Sequence, residues 1–572
     1  MKLKGKMKKI GTSVLSLTLA IACFAGCGGG GGTSGGGGGT SGGSKSATEI
    51  EFLNYRGCAG EEWIQAAAKR FETLKSEESY EENKKGVKIN VSTVKQIPYT
   101  TLNSEGYDIY IGENKANIYE MASSGFLMDV GEVVSGIESK IRPEAKRRMK
   151  AADGKYYALP SYEWYTGVSY DQDFFENKDL YIASPEVGGR EYSSKFGKIK
   201  FVNSSDDRKS CGPDGEYGTS DDGLPSSLQE FLILCSAIKE EGGRAPFTIA
   251  GSCLDYAFFL VDALWASMAG KEQVSAIYSL NTNGKKTVEV VTGYTDEDLF
   301  YQGSGIKRPT TEMIAIDETN GYKIYDMASR YYALGALEVI YKEGWFSEYE
   351  FNRSTVSNIV AQSNFVNKAS SGMIYDASFW CSESVRNGHF ELYKKTHPDN
   401  PERNVSFMPM PTTLETPVTE GNGKKRAIFD LGATLMFVSK RVENNAGKKR
   451  AVTDFLKFLY SDAELAAFTE STGLAIPMEY SYDENKLNDY FKKLNAIREE
   501  SDIIYFSSES ELVLKNLDAF ALTWTGAINR PVINGTEIGK GFLVAMRDYK
   551  TGAKDIFELT KKTQDSWERL KK

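Results

Sequence analysis

Pro160 stands in the middle of the stretch that most constrains this chain, Tyr156-Tyr157-Ala158-Leu159-Pro160-Ser161-Tyr162-Glu163-Trp164-Tyr165-Thr166-Gly167-Val168-Ser169-Tyr170-Asp171. Proline lacks the amide donor and clashes with the preceding turn, so no helix runs through this segment. The stretch reads as extended, opening after Gly154-Lys155 and closing at an acidic turn before Phe174-Phe175. Tyr162, Glu163, Trp164 and Tyr165 set flat apolar faces beside one carboxylate. That pairing suits a polyhydroxylated ring, whose C–H face is covered by aromatics and whose hydroxyls meet charged groups. A strand whose aromatics fill a core reads equally well from these residues alone.

The surroundings of the stretch alternate strand and helix. Glu49 to Tyr55 reads as a strand, Glu61 to Leu74 as an amphipathic helix, Gly86 to Val91 and Tyr107 to Gly112 as further strands. This order predicts an α/β layered lobe with a largely parallel sheet, whose ligands collect at the carboxyl ends of the strands, here Tyr55-Arg56 and Gly112-Glu113. Pro225 to Phe231 opens a helix that Ser226 or Ser227 caps, with Glu230 completing a capping box. Ala245–Ala250, Ser371–Trp380 and Ala433–Ser439 read as strands, and residues 285–322 as an inserted hairpin and loop. Residues 176–224 are poor in periodicity. Within them, closely spaced carboxylates on glycine turns offer oxygens for a structural calcium, with Asp214, Asp221 and Asp222 as ligands.

At the N-terminus, Lys2, Lys4, Lys6, Lys8 and Lys9 precede an apolar run from Val14 to Phe24, then Ala25-Gly26-Cys27. This describes a secretory signal, too short for a stable membrane span. The small-small-Cys ending looks like a bacterial lipobox, with Phe24 where leucine is usual; by that resemblance Cys27 is lipidated. Residues 28–44 are almost wholly Gly, Ser and Thr and form a flexible tether of roughly 20–25 Å mean reach. A net charge of −9 and the lack of a long basic run argue against nucleic acid. Cys58, Cys211, Cys235, Cys253 and Cys381 form no CxxC pair, which leaves zinc and iron–sulfur sites unsupported. The two histidines, His389 and His397, read as solvated loop residues, so a histidine-based triad has little to draw on.

Taken in order from residue 49 to 480, these motifs resemble the family 1 extracellular solute-binding proteins of ABC importers, the group that includes maltose-binding protein. The resemblance rests on Gly154-Lys155…Ala158-Leu159-Pro160, Pro225…Glu230-Phe231, Ser371-Gly372-Met373-Ile374…Trp380, Gly432-Ala433-Thr434, Asp454-Phe455-Leu456 and Thr472-Gly473…Pro477. It implies an α/β, two-lobed periplasmic-binding-protein type II-like fold with the ligand in the cleft. After the signal (1–27) and tether (28–46), one lobe would comprise 47–165 and 431–478, the other 166–430 and 479–572. By the same resemblance, Tyr55, Arg56, Glu113, Glu163, Trp164, Asp255, Tyr256, Trp380 and Trp524 line the cleft. The implied protein is a monomer, tethered by its N-terminal lipid to the extracellular face of a cell membrane. It would capture a carbohydrate by hinge closure and deliver it to permease subunits, with no catalytic residue and no required cofactor. A receptor for peptides or another polar solute, and a secreted glycoside hydrolase, are the alternatives.

Overall fold

The computed structural model describes residues 46–94, 104–112, 121–151, 153–206, 208–252, 256–280, 286–351, 353, 355–430 and 434–505. It also describes 510, 512–513, 532–533, 536–537, 557 and 564–571. In chain order, the elements that position the site begin with β1 (Thr48–Tyr55), α1 (Glu62–Leu74), β2 (Val87–Val94), β3 (Ile109–Gly112), β4 (Leu159–Pro160) and β5 (Val168–Asp171). Next come α2 (Leu228–Glu240), β6 (Ala245–Thr248), α3 (Ala257–Ser279), α4 (Asn358–Lys368), β7 (Ser371–Tyr375) and α5 (Trp380–Arg386). The last are β8 (Val405–Met408), β9 (Ala427–Asp430), β10 (Leu435–Val438), α6 (Ala446–Leu459), α7 (Asp462–Thr472), α8 (Asp489–Glu500) and β11 (Asp502–Tyr505).

Two main sheets organise these elements. The first runs β2-β1-β3-β10-β4; β1 is parallel to both neighbours, and β10 is antiparallel to β3 and β4. The second runs β8-β5-β7-β6, with β7 antiparallel to β5 and parallel to β6. The first sheet thus takes strands from both sides of the long 161–434 excursion, and the second is built inside that excursion. β1 is buried on both faces, with Ile50, Phe52 and Leu53 wholly inaccessible, as expected for a central parallel strand. Helix α1 presents Ile64, Ala67, Ala68 and Phe71 to the core at helical spacing. Leu74, the last residue of the same stripe, is 63% exposed because the helix has run past the sheet. Burial of each large side chain on such a face stabilises by about 1.5–3 kcal/mol.

In the second sheet's lobe, Ser227 caps α2 and Glu230 closes the capping box. Residues 287–298 and 307–315 form a bulged antiparallel ribbon. One region differs from the sequence reading. Arg190–Ser194, Gly197–Val202 and Tyr181–Ile182 build a three-stranded antiparallel sheet where little periodicity is visible. Its strands are short and mostly half-exposed, so only Tyr192, Ile199, Phe201 and Val202 among the two longer ones carry the apolar signal. His389 also departs from expectation. It starts a helix, His389–Thr396, and lies buried with Nδ1 3.3 Å from Ser384 Oγ. Burial lowers its pKa. His397 stacks on Tyr393 at 4.2 Å. Cys58, Cys211, Cys235 and Cys381 are all buried. Among the described residues no helix is long and apolar enough to cross a membrane.

Candidate functional site

The chain passes between the two sheets along Ser161–Gly167, and two later segments lie beside it. Ser161 N donates to Thr434 O at 3.1 Å, Glu163 N to Ala475 O at 2.8 Å and Thr166 N to Phe429 O at 3.1 Å. Tyr165 forms a β-bridge with Asp430, and β9 pairs in parallel with β11. Pro160 ends β4 and releases the backbone from the first sheet, which is why the crossing starts there. The junction between lobes is therefore three adjoining strands of chain, not a single linker.

Glu163 sits at its centre, fully buried. Its carboxylate accepts from Tyr165 Oη at 2.6 Å, from Arg498 Nε at 2.7 Å and from the Tyr505 hydroxyl. Arg498 Nε also reaches Tyr165 Oη at 3.0 Å, and Nη2 donates to Ile476 O at 3.3 Å. Burial acts to raise the Glu163 pKa, but the guanidinium and the two phenols outweigh it and hold the carboxyl below its ordinary value. Burial together with Glu163 pushes the Tyr165 and Tyr505 phenols well up. A second buried pair flanks this one: Arg148 Nη1 meets Asp430 Oδ2 at 2.7 Å, and Asp430 Oδ1 accepts from Trp164 N at 3.4 Å. Glu163, expected among the cleft residues, thus has its oxygens committed to the protein itself and ties the crossing to α8 and β11.

Trp164 is buried as well, 6% exposed. Its ring meets Phe379 at 5.3 Å and Phe259 at 5.6 Å, edge-on in both cases. Phe259 in turn lies 4.8 Å from Tyr256. This brings two of the expected residues, Trp164 and Tyr256, into one aromatic cluster formed by the crossing, the start of α3 and the turn before α5. The indole N–H of Trp164 is buried without a hydrogen-bond partner among the described residues.

The other expected positions fall elsewhere. Tyr55 is buried at the end of β1, and Arg56 follows it exposed. Trp380 is a correction: it is wholly inaccessible, its Nε1 donates to Ser169 Oγ at 2.9 Å, and Phe365 and Tyr490 meet its faces edge-on at 5.5 and 5.6 Å. No face of that indole is open to a ligand, because β7 ends five residues earlier than the sequence suggests and the ring, at the start of α5, lies in the core. Glu113, Asp255, Trp524 and Cys27 lie outside the described residues. The glycine-turn carboxylates are a second correction. Asp221 and Asp214 face Arg426 Nη1 at 2.9 and 3.4 Å, and Glu500 contacts the same guanidinium. Asp222 accepts from Gly218 N at 2.8 Å. A guanidinium occupies the centre where calcium would need to sit. Burial nonetheless pushes Asp221 up to about 6 against the pull of Arg426. No trio of carboxylate, thiol or imidazole groups arranged for a metal occurs among the described residues.

Sequence reasoning missed Arg498, Tyr505, Asp430, Phe259 and Phe379. Arg498 lies 335 residues from Glu163, and nothing local marks it as a partner. A further recess of about 280 Å³ lies in the first lobe between α1, α6 and α7, bordered by Trp63, Arg70, Ser161, Tyr460, Glu464 and Phe468. It contains none of the expected ligand residues.

No protein-family model and no curated protein matches the chain. Solved structures do. A chitin oligosaccharide binding protein aligns with a TM-score of 0.55 and 14% identity, over 92% of this chain and 100% of that one. A binding protein of an ABC transporter from Bifidobacterium animalis subsp. lactis, in complex with mannobiose, gives 0.51 and 14%, over 92% and 94%. The GacH receptor of Streptomyces glaucescens, solved unliganded and with acarbose, gives 0.50 and 14%, over 92% and 98%. The chain has the two-lobed α/β fold of these binding proteins.

Proposed function

We propose that the protein is a carbohydrate receptor of an ABC transporter, closing its two lobes on an oligosaccharide and presenting it to permease subunits. The observation that carries this reading is the aromatic cluster of Trp164, Phe259, Tyr256 and Phe379 at the hinge of this particular fold. Apolar ring faces beside an unsatisfied N–H donor match a sugar's alternating C–H and O–H surfaces. The matched structures, a chitin oligosaccharide binding protein and receptors solved with mannobiose and acarbose, support the same class. We read the fold as serving by binding rather than by bond cleavage: Glu163, which precedes Trp164 in the crossing, is engaged by Arg498 and two tyrosines and is held in the interior rather than offered to a glycosidic bond.

The N-terminal basic–apolar–Cys27 pattern and the glycine-rich tether support a lipid anchor on the extracellular face of the membrane. Such a leash lets a hinged body reach a permease while remaining near it.

The test is a thermal-shift series on the full chain with chito-, manno- and malto-oligosaccharides. A true ligand at saturation raises the melting temperature by a few degrees through linkage, and no sugar is consumed. Release of shorter sugars, or a response to peptides alone, overturns the reading. For the anchor, labelled fatty acid is expected to enter the parent chain and not Cys27→Ser.

A further inference from the structure

The loop between β1 and α1 belongs to the first lobe, yet its tip is held by α5 of the second. Cys58 N donates to Glu383 Oε1 at 3.3 Å, and Arg386 Nη1 donates to Cys58 O. One peptide backbone is thus gripped from both sides by side chains more than 320 residues away in sequence. Cys58 is 2% exposed and has φ of +54°, a left-handed conformation that a non-glycine residue keeps only when its surroundings hold it. The approach is close as well: a Cβ built on Gly60 would come within 2.6 Å of Arg386 Nε.

The gripping groups are themselves fixed. Glu383 Oε2 accepts from Gln362 Nε2 at 2.9 Å and Asn358 Nδ2 at 3.2 Å, both on α4. Gln362 Nε2 also reaches Asp376 Oδ2 at 3.1 Å, and Arg386 Nη1 is braced by Ser382 Oγ at 3.0 Å. On the first lobe's side, Asn54 Nδ2 holds Gly60 O at 2.9 Å and shapes the loop that carries Tyr55 and Arg56. Two pre-organised halves therefore meet across the lobes through one residue's peptide groups.

We infer that Glu383 and Arg386 are positioning residues that clasp the Cys58 backbone and hold the lobes together before any ligand binds. For a hinged receptor, apparent affinity scales with the fraction already in the binding-competent arrangement. The clasp therefore sets affinity without touching the ligand, a consequence that rests on the receptor reading; the clasp itself does not.

The experiment needs no ligand, which separates failure of the clasp from failure of the carbohydrate assignment. Small-angle scattering and amide exchange are measured on the full chain, with the Arg386→Ala, Arg386→Lys and Glu383→Gln variants. Arg386→Ala is expected to enlarge the radius of gyration and to speed exchange at residues 57–60 by about tenfold, the scale of a lost charge-assisted hydrogen bond. Arg386→Lys keeps a donor and returns both readouts toward the parent. If Arg386→Ala does not fold, Glu383→Gln decides, with exchange at Cys58 faster by about threefold at an unchanged melting temperature. Parental dimensions and parental exchange in the folded variants overturn the inference.

Discussion

Around Glu163 every oxygen finds a donor, whereas one residue further along the chain the Trp164 indole N–H meets none among the described residues. The first environment is closed: a carboxylate, a guanidinium and two phenols neutralise and orient one another, and the group is worth more as a hinge pin than as a ligand contact. The second is incomplete. A buried donor without a partner costs free energy until something supplies an acceptor. Saturation thus distinguishes the Glu163 side of the crossing, and an unmet donor the Trp164 side, where the proposed ligand would supply the acceptor.

Two substitutions are expected to cost the most stability, one in the closed network and one in the core beside it. Arg498→Ala strands the Glu163 carboxylate in the interior, and denaturant unfolding is expected to lose about 3–5 kcal/mol. A loss below about 1 kcal/mol would show that water reaches the network. Trp380→Ala empties a fully packed site and removes the bond to Ser169, with an expected loss of about 3–5 kcal/mol in the unliganded protein. Should Trp380→Ala instead melt like the parent and lose sugar binding, Trp380 would belong to the ligand site after all.

A smaller effect follows from titration. The folded-state pKa of Glu163 is depressed, so its contribution is fully present above the unfolded value of about 4.3. That contribution disappears as pH falls through the folded value. Glu163→Gln is expected to be less stable than the parent at neutral pH, with a gap that narrows steadily below pH ~4.3. A constant gap would mean that shape, not charge, holds the hinge. The smallest stability effect is expected on the incomplete side: Trp164→Phe keeps an apolar ring and should cost less than about 1.5 kcal/mol. The same variant is expected to abolish most of the oligosaccharide-induced thermal shift. An undiminished shift would place the sugar elsewhere, and the recess beside Trp63 would be the next place to look.

Much of the architecture was legible from local pattern. β1, α1, α2 with its Ser227 capping box, and the 287–315 ribbon all follow from periodicity, capping chemistry and turn residues acting within a few positions. The three-stranded sheet at 181–202 was not, because its exposed edges carry too few apolar residues to alternate visibly. Of the expected cleft residues, the structure groups some and separates others. Trp164 and Tyr256 fall in one cluster, but the same reasoning chose Trp380, whose aromatic character serves packing. A tryptophan's chemistry is identical in both roles, and only its neighbours tell them apart. The carboxylates at 214–222 teach the same lesson. Their spacing suits an oxygen-loving cation, and the cation that meets them is Arg426, some two hundred residues later.

By itself, the sequence determined the alternation of strands and helices, the break at Pro160, the lack of a long basic run and the concentration of glycine in residues 28–44. These depend on backbone sterics, short-range hydrogen bonding and composition, which act locally along the chain. Only the tertiary structure decided which polar groups are satisfied: that Glu163 answers Arg498, that Asp221 answers Arg426, and that Cys58 is gripped by Glu383 and Arg386. Partners in such contacts are brought together by packing across hundreds of residues, and no local pattern records where a distant side chain will arrive.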